Sequence, residues 1–134
     1  MSTPQYHQLR ASITDDNIRK VFDVLLEHVG QDNAINIDDI AHAVYQSRGD
    51  NAVRKARDVI EILRTDYRIP VCSTSGKSGR WLAASEDEKE MCIRDYAARL
   101  ESTQKVINAL RAAKVPASSE LRPVEKPVQQ RLWW

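Results

Sequence analysis

The chain has 134 residues, enough for one ordinary domain with an appendage and too few for two. Hydrophobic residues make up 42% and charged residues 29%, the balance of a globular protein, with a formal net charge of +1. Unbroken apolar runs are short, as in Val24-Leu25-Leu26 or Trp81-Leu82-Ala83-Ala84, which excludes a membrane-spanning segment. The polar start MSTPQYHQLR has no signal-peptide core, so the expected compartment is the cytoplasm. Cys72 and Cys92 are the only cysteines and give no disulfide framework; both fall in periodic segments and are expected as buried thiols.

In chain order, residues 1–13 read as an N-terminal arm and residues 14–84 as a domain. Thr14 is the expected N-cap of a first helix, with Asp15 and Asp16 at the positive end of its dipole. Ile18, Val21, Phe22, Leu25, Leu26 and Val29 recur at three- and four-residue spacing, and Gly30 ends the run. Ala34-Ile35-Asn36-Ile37 alternates and predicts a short strand. Asp38 is then the expected cap of a short helix burying Ile40, Ala41, Val44 and Tyr45. Arg48-Gly49-Asp50 predicts a turn, and Asn51 starts a third helix with Val53, Ala56, Ile60 and Leu63 on one face.

Pro70 forbids continuation of that helix. Val71-Cys72 and Arg80-Trp81-Leu82-Ala83 predict the arms of a hairpin whose loop spans Ser73 to Gly79. Ser85 with Glu88 makes a capping box that opens a long helix over 85–114. Ile93, Tyr96, Leu100, Ile107 and Leu110 form a near-heptad stripe along it, with Thr103 at one seam position. Such a stripe either packs back on its own domain or pairs two chains as a homodimer through 93–110. Residues 115–134 hold three prolines and no periodicity, and are expected to be a flexible, disordered tail with a terminal binding peptide.

Charge is unevenly distributed. Residues 1–47 hold three Lys or Arg against seven Asp or Glu, whereas residues 48–80 hold eight against four. The middle of the chain is therefore a candidate polyanion surface.

The order helix, strand, helix, tight turn, helix, hairpin is that of a winged helix-turn-helix domain, and particular residues carry a closer likeness. Ile62-Leu63-Arg64, Tyr67-Arg68-Ile69-Pro70-Val71, Gly79-Arg80-Trp81-Leu82-Ala83 and Ser85-Glu86-Asp87-Glu88 resemble the corresponding segments of winged-helix proteins encoded by bacteriophages and prophages. The resemblance covers about residues 14–113. It implies a mainly α fold with a small β-hairpin and DNA-related work in a bacterial host cell. In that fold the third helix enters the major groove while the wing touches the flanking backbone. The implied DNA-binding residues are Asn51, Arg54, Lys55 and Arg57 on the helix, with Lys77 and Arg80 in and behind the wing. A competing reading is local: Arg54 shares a face with Asp58 and Glu61 and is spaced to pair with Asp58, while Asp38 and Asp39 would repel phosphate.

Gln129-Gln130-Arg131-Leu132-Trp133 resembles the short peptide by which bacterial proteins dock on the DNA polymerase sliding clamp. The likeness implies that Gln129 hydrogen-bonds at the pocket edge while Leu132 and Trp133 fill an apolar cleft; Trp133 stands where phenylalanine is usual. The implied partner is the sliding clamp or another replication protein; folding back on the domain, or covering a partner subunit, is the alternative for Leu132, Trp133 and Trp134.

Catalytic patterns are not found. Gly76-Lys77-Ser78 lacks the earlier glycine of a phosphate-binding loop, because Val71 holds that position. His7, His28 and His42 have no partners at metal-ligand spacing, and no nucleophile–base set stands out. The expectation is a phage-type winged-helix protein that binds double-stranded DNA in replication or transcription control, with no cofactor, no metal and no enzymatic activity. The alternative is an adaptor or inhibitor that grips a host protein and does not bind DNA.

Overall fold

A computed structural model describes residues 3–74 and 77–117 of the chain. The described residues form five α-helices, one 3-10 turn at Gln31–Asn33 and a small antiparallel sheet: α1 (Thr3–Arg10), α2 (Asp16–Leu25), β1 (Ile35–Asn36), α3 (Ile37–Tyr45), α4 (Asp50–Thr65), β2 (Val71–Cys72), β3 (Gly79–Leu82) and α5 (Glu86–Ala112). The sheet order is β1-β3-β2, with Ile35 opposite Arg80 and Cys72 opposite Trp81. The segment predicted as a separate short strand thus pairs with the hairpin. Among the described residues no helix is long and apolar enough to cross a membrane. The chain divides into two units, residues 1–99 and 100–134.

The core of the first unit follows from helical spacing. Val21, Phe22 and Leu25 of α2 meet Ile37, Ile40 and Ala41 of α3 and Ala56, Ile60 and Leu63 of α4, closed by Ile69, Val71 and Leu82. Ala52 and Val59 also face inward on α4, while Val44, Tyr45 and Val53 are only partly buried.

Several expected boundaries move, each for a local reason. Asp15, not Thr14, caps α2: its carboxylate accepts from the Ile18 amide at 3.0 Å, a charge-assisted bond stronger than a hydroxyl would give. Asp38 does not cap α3. That helix begins at Ile37, whose amide donates to the Ser78 carbonyl at 2.9 Å, while Ser78 Oγ donates to Asn36 Oδ1 at 3.0 Å. The cap comes from the hairpin, a tertiary contact that local pattern does not encode. Gly49, not Asn51, stands before α4, which starts at Asp50. Helix α2 stops at Leu25, and Gly30 acts later, at φ 94°. There its amide donates to Leu82 O at 2.8 Å, in a backbone conformation L side chains rarely adopt.

The reading of residues 1–13 as an arm is corrected. Residues 3–10 are helical, and Tyr6 and Ile13 are buried in the core. The Tyr6 hydroxyl donates to the Ala83 carbonyl at 2.5 Å, and Arg10 forks onto Asp23 at 2.5 and 3.0 Å. One aromatic anchor gives too little periodicity to reveal such a helix.

Burial also sets a pH dependence. It pushes the Tyr6 hydroxyl up from 10.0 to about 12, helped by the nearby Cys72, Glu88 and Glu86. It likewise pushes the Cys72 thiol up from 9.0 to about 12, with Cys92 adding to the shift. Both groups keep their protons longer in the folded chain than in the unfolded one. Their contribution is complete below pH 9 and declines as pH rises through about 12. Urea midpoints should therefore fall between pH 8 and 11, and Tyr6→Phe should fall less steeply over that interval while being less stable at pH 8.

The stripe on α5 is exposed and not packed into a core: Ile93 is 50% accessible and Tyr96 42%. In the second unit Leu100 and Leu110 are each 70% accessible and Ile107 37%. Helix α5 ends at Ala112, two residues before the expected Lys114. The reading of 115–134 as a disordered tail lies outside the described residues from position 118 onward.

Candidate nucleic-acid interface

Helix α4 buries Ala52, Ala56, Val59, Ile60 and Leu63, so its outer residues fall into separate lines at 100° per residue. Asn51, Lys55 and Asp58 follow one flank, and Arg57, Glu61 and Arg64 the other, with Arg54 between. All but the partly buried Arg64 are exposed. Lys55 sits over the Tyr45 ring, 5.6 Å from its centroid, and Tyr45 donates to Asn17 Oδ1 at 2.8 Å. The side chains expected to act as one patch are thus divided, with Lys55 on the α3 side.

The other flank gathers positive charge. Arg64 is held firmly: Nε donates to Val71 O at 2.8 Å, Nη2 to Ser73 Oγ at 3.1 Å, and Nη1 to the Tyr96 hydroxyl at 2.8 Å. Its guanidinium and that of Arg99 lie 5.5 and 4.1 Å from the Tyr96 ring centroid. Arg80 of β3 completes the group. It is not the freely reaching wing cation expected: it is half-buried, and Nη1 donates to Ser78 O at 2.8 Å and Gly79 O at 3.3 Å. Its pKa is lowered by burial first, then by the positive charges of Arg64 and Arg57.

Glu61 lies on the same flank, one turn from Arg57 and from Arg64, but no carboxylate forms an ion pair with Arg57, Arg64 or Arg80 among the described residues. The ion pairs among the described residues are Arg10–Asp23, Arg19–Asp16, Arg48–Asp39, Lys89–Glu86 and Arg99–Asp95. Arg54 is therefore not paired with Asp58, and Glu61 reaches neither Arg57 nor Arg64. Asp39, expected to repel phosphate from α3, is engaged by Arg48. Lys77 is exposed at the hairpin, where its amide donates to Thr74 O at 3.2 Å, and Asn51 is exposed at the start of α4.

The arginines thus converge from α4 and β3, with Tyr96 of α5 as a backstop. Sequence reasoning missed Arg64, although it lies two turns after Arg57 on the same flank. Its role depends on β2, whose position spacing does not give. Gln129, Leu132 and Trp133 lie outside the described residues.

Other chemistry is not assembled. Among the described residues no group of three or more His, Cys, Asp or Glu could hold a metal ion. His28 Nδ1 lies 2.7 Å from Asn33 O, a structural contact. Cys72 is buried beside Trp81 and Ala83, with the partly buried Cys92 packed against them, so the two thiols are neighbours and both are free. No protein-family model, curated protein or solved structure matches this chain.

Proposed function

We propose that this protein is a phage-type winged-helix DNA-binding protein acting in replication or transcription control in the bacterial cytoplasm. The observation that carries the reading is that Arg57 and Arg64 of α4 lie close enough to the half-buried Arg80 to lower its pKa, and that none of the three has an ion-pair partner among the described residues. Like charges held together raise the energy of the free protein, and a phosphate backbone relieves that repulsion. The element order fits the same reading: α3, the turn at Gly49 and α4 correspond to the helix-turn-helix, and β2 and β3 to the wing. Arg57 and Arg80 contact phosphate with Lys77, Arg64 ties β2 and α5 to α4, and Asn51 and Arg54 near the start of α4 face the base edges. Lys55 contributes from the other flank. No cofactor, metal or catalytic group enters this reading.

A titration of duplex DNA against salt tests it. The logarithm of affinity should fall linearly and steeply with the logarithm of salt concentration. Absence of duplex binding at low salt would reject this reading and favour an adaptor or inhibitor that grips a host protein. The exposed Leu100 and Leu110 are the observation behind that second reading, since large apolar side chains at 70% accessibility suit a protein contact.

The same residues support a homodimer through 93–110. Sedimentation of the unmodified protein should give a dimer, and Leu100→Asp should give a folded monomer. A monomer throughout at high micromolar concentration would remove the dimer. For the tail, the proposed partner is the sliding clamp, bound through Gln129, Leu132 and Trp133. A peptide covering Pro127 to Trp134 should bind it, with alanine at Leu132 or Trp133 costing more than alanine at Gln129. Calorimetry without a heat signal would reject this partner.

A further inference from the structure

Between β2 and the first turns of α5 lies an open groove of about 380 Å3. Its floor is apolar, with Val71 on one side and Ile93 and the Tyr96 ring on the other. Ile93 is 50% accessible, so half of a branched aliphatic side chain meets solvent there. The charged residues in the walls are Arg64, Arg68 and Lys89, and no carboxylate lines the groove. Lys89 is paired with Glu86 at 2.8 Å, whereas Arg64 and Arg68 have no ion-pair partner among the described residues.

Arg68 adds an independent observation. Its φ is 56°, in the left-handed region. For a long side chain this costs roughly 1–2 kcal/mol, a cost glycine would avoid. The conformation serves the fold, turning the chain so that the Ile69 amide donates to Leu63 O at 3.0 Å. Glycine would serve that turn better. What arginine adds is an exposed positive charge on the wall of an apolar groove.

We propose that this groove binds an acidic segment of a partner protein, with a leucine or aromatic anchor on the apolar floor and carboxylates meeting Arg64 and Arg68. Charge selects this occupant. The side chains of the chain's own residues 127–134 include Arg131 and no Asp or Glu, so they share the sign of the walls. An open groove lined by one apolar strand edge and one helix face suits a peptide that lays a single side chain inward and leaves its backbone in water. Arg68 and Ile93 take no part in the proposed DNA contacts, so substitutions there leave that reading untouched, while Arg64 is shared by both. The inference also requires that pairing through 93–110 rest on Leu100, Ile107 and Leu110 and leave Ile93 open.

A displayed library of random dodecapeptides, selected on the full-length protein, tests the proposal. Recovered sequences should be enriched in Asp and Glu around one Leu, Phe or Trp. A selected peptide made synthetically should lose about tenfold or more in affinity on Ile93→Glu, and similarly on Arg68→Gly. The Arg68→Gly protein should also melt at a higher temperature, because the left-handed strain is relieved, so its weaker binding cannot come from unfolding. No enrichment, enrichment without carboxylates, or peptides insensitive to both substitutions would overturn the proposal. So would sedimentation in which Ile93→Glu alone turns a dimer into a monomer, which assigns the groove to a second copy.

Discussion

Replacing Glu88 by alanine is expected to cost the domain about 2–3 kcal/mol, which for a domain of this size lowers its melting temperature by about 10 °C or more. The carboxylate joins three segments. Oε1 accepts from the Trp81 indole at 3.0 Å and from the Ala84 amide at 3.1 Å, and Oε2 accepts from the Gln31 amide at 3.3 Å. The Glu88 amide in turn takes a bond to Ser85 Oγ at 3.2 Å. Trp81 is only 5% exposed, so without Glu88 its N–H is left buried and unpaired, the costly half of losing a hydrogen bond. Glu88→Gln keeps one acceptor and should lose less. A double-mutant cycle checks the cause: in a Trp81→Phe background the alanine substitution should cost about 1–2 kcal/mol less, because the orphaned donor is gone. Equal costs in both backgrounds would show that the indole bond contributes nothing.

Glu88 also illustrates what sequence carries. Ser85 and Glu88 are three residues apart, so the capping box is a local pattern and is legible. The indole of Trp81 and the amide of Gln31 are reached only after the chain has folded. The same division runs through the whole chain. Helices α2, α4 and α5 are long, with periodic apolar positions or clear caps, and spacing alone finds them. Helix α1 rests on one buried tyrosine and leaves no period. The α3 cap comes from Ser78, far along the sequence, and local pattern points instead to Asp38, which does not cap the helix. Side chains at 51, 54, 55 and 57 look contiguous in sequence, yet a helix turns 100° per residue and spreads them over two flanks. Charge marks Arg80 in the sequence, while its half-burial and its nearness to Arg57 and Arg64 depend on how the sheet meets α4 through β2.

That arrangement makes the second large prediction. Exchanging Arg57 and Arg80 together for glutamine should weaken duplex binding by roughly tenfold for each cation removed. The thermal midpoint of the free protein should stay about level, because the loss of Arg80's bonds to Ser78 O and Gly79 O is offset by relief of repulsion. Arg80 is a half-buried charge whose protonated form is disfavoured by burial and by Arg64 and Arg57, so removing it relieves repulsion. Arg64 is unsuitable for this test, because its bonds to Val71, Ser73 and Tyr96 hold β2 and α5 to α4. Lost binding with undiminished stability would separate a ligand-facing role from a structural one.

The most direct measurement is the salt dependence of duplex affinity for the unmodified protein and for the variant carrying both Arg57→Gln and Arg80→Gln. A steep linear fall is predicted for the first, and a slope shallower by about two for the second, one counterion for each guanidinium that no longer meets a phosphate. Identical slopes, or no duplex binding by either protein at low salt, would contradict the account.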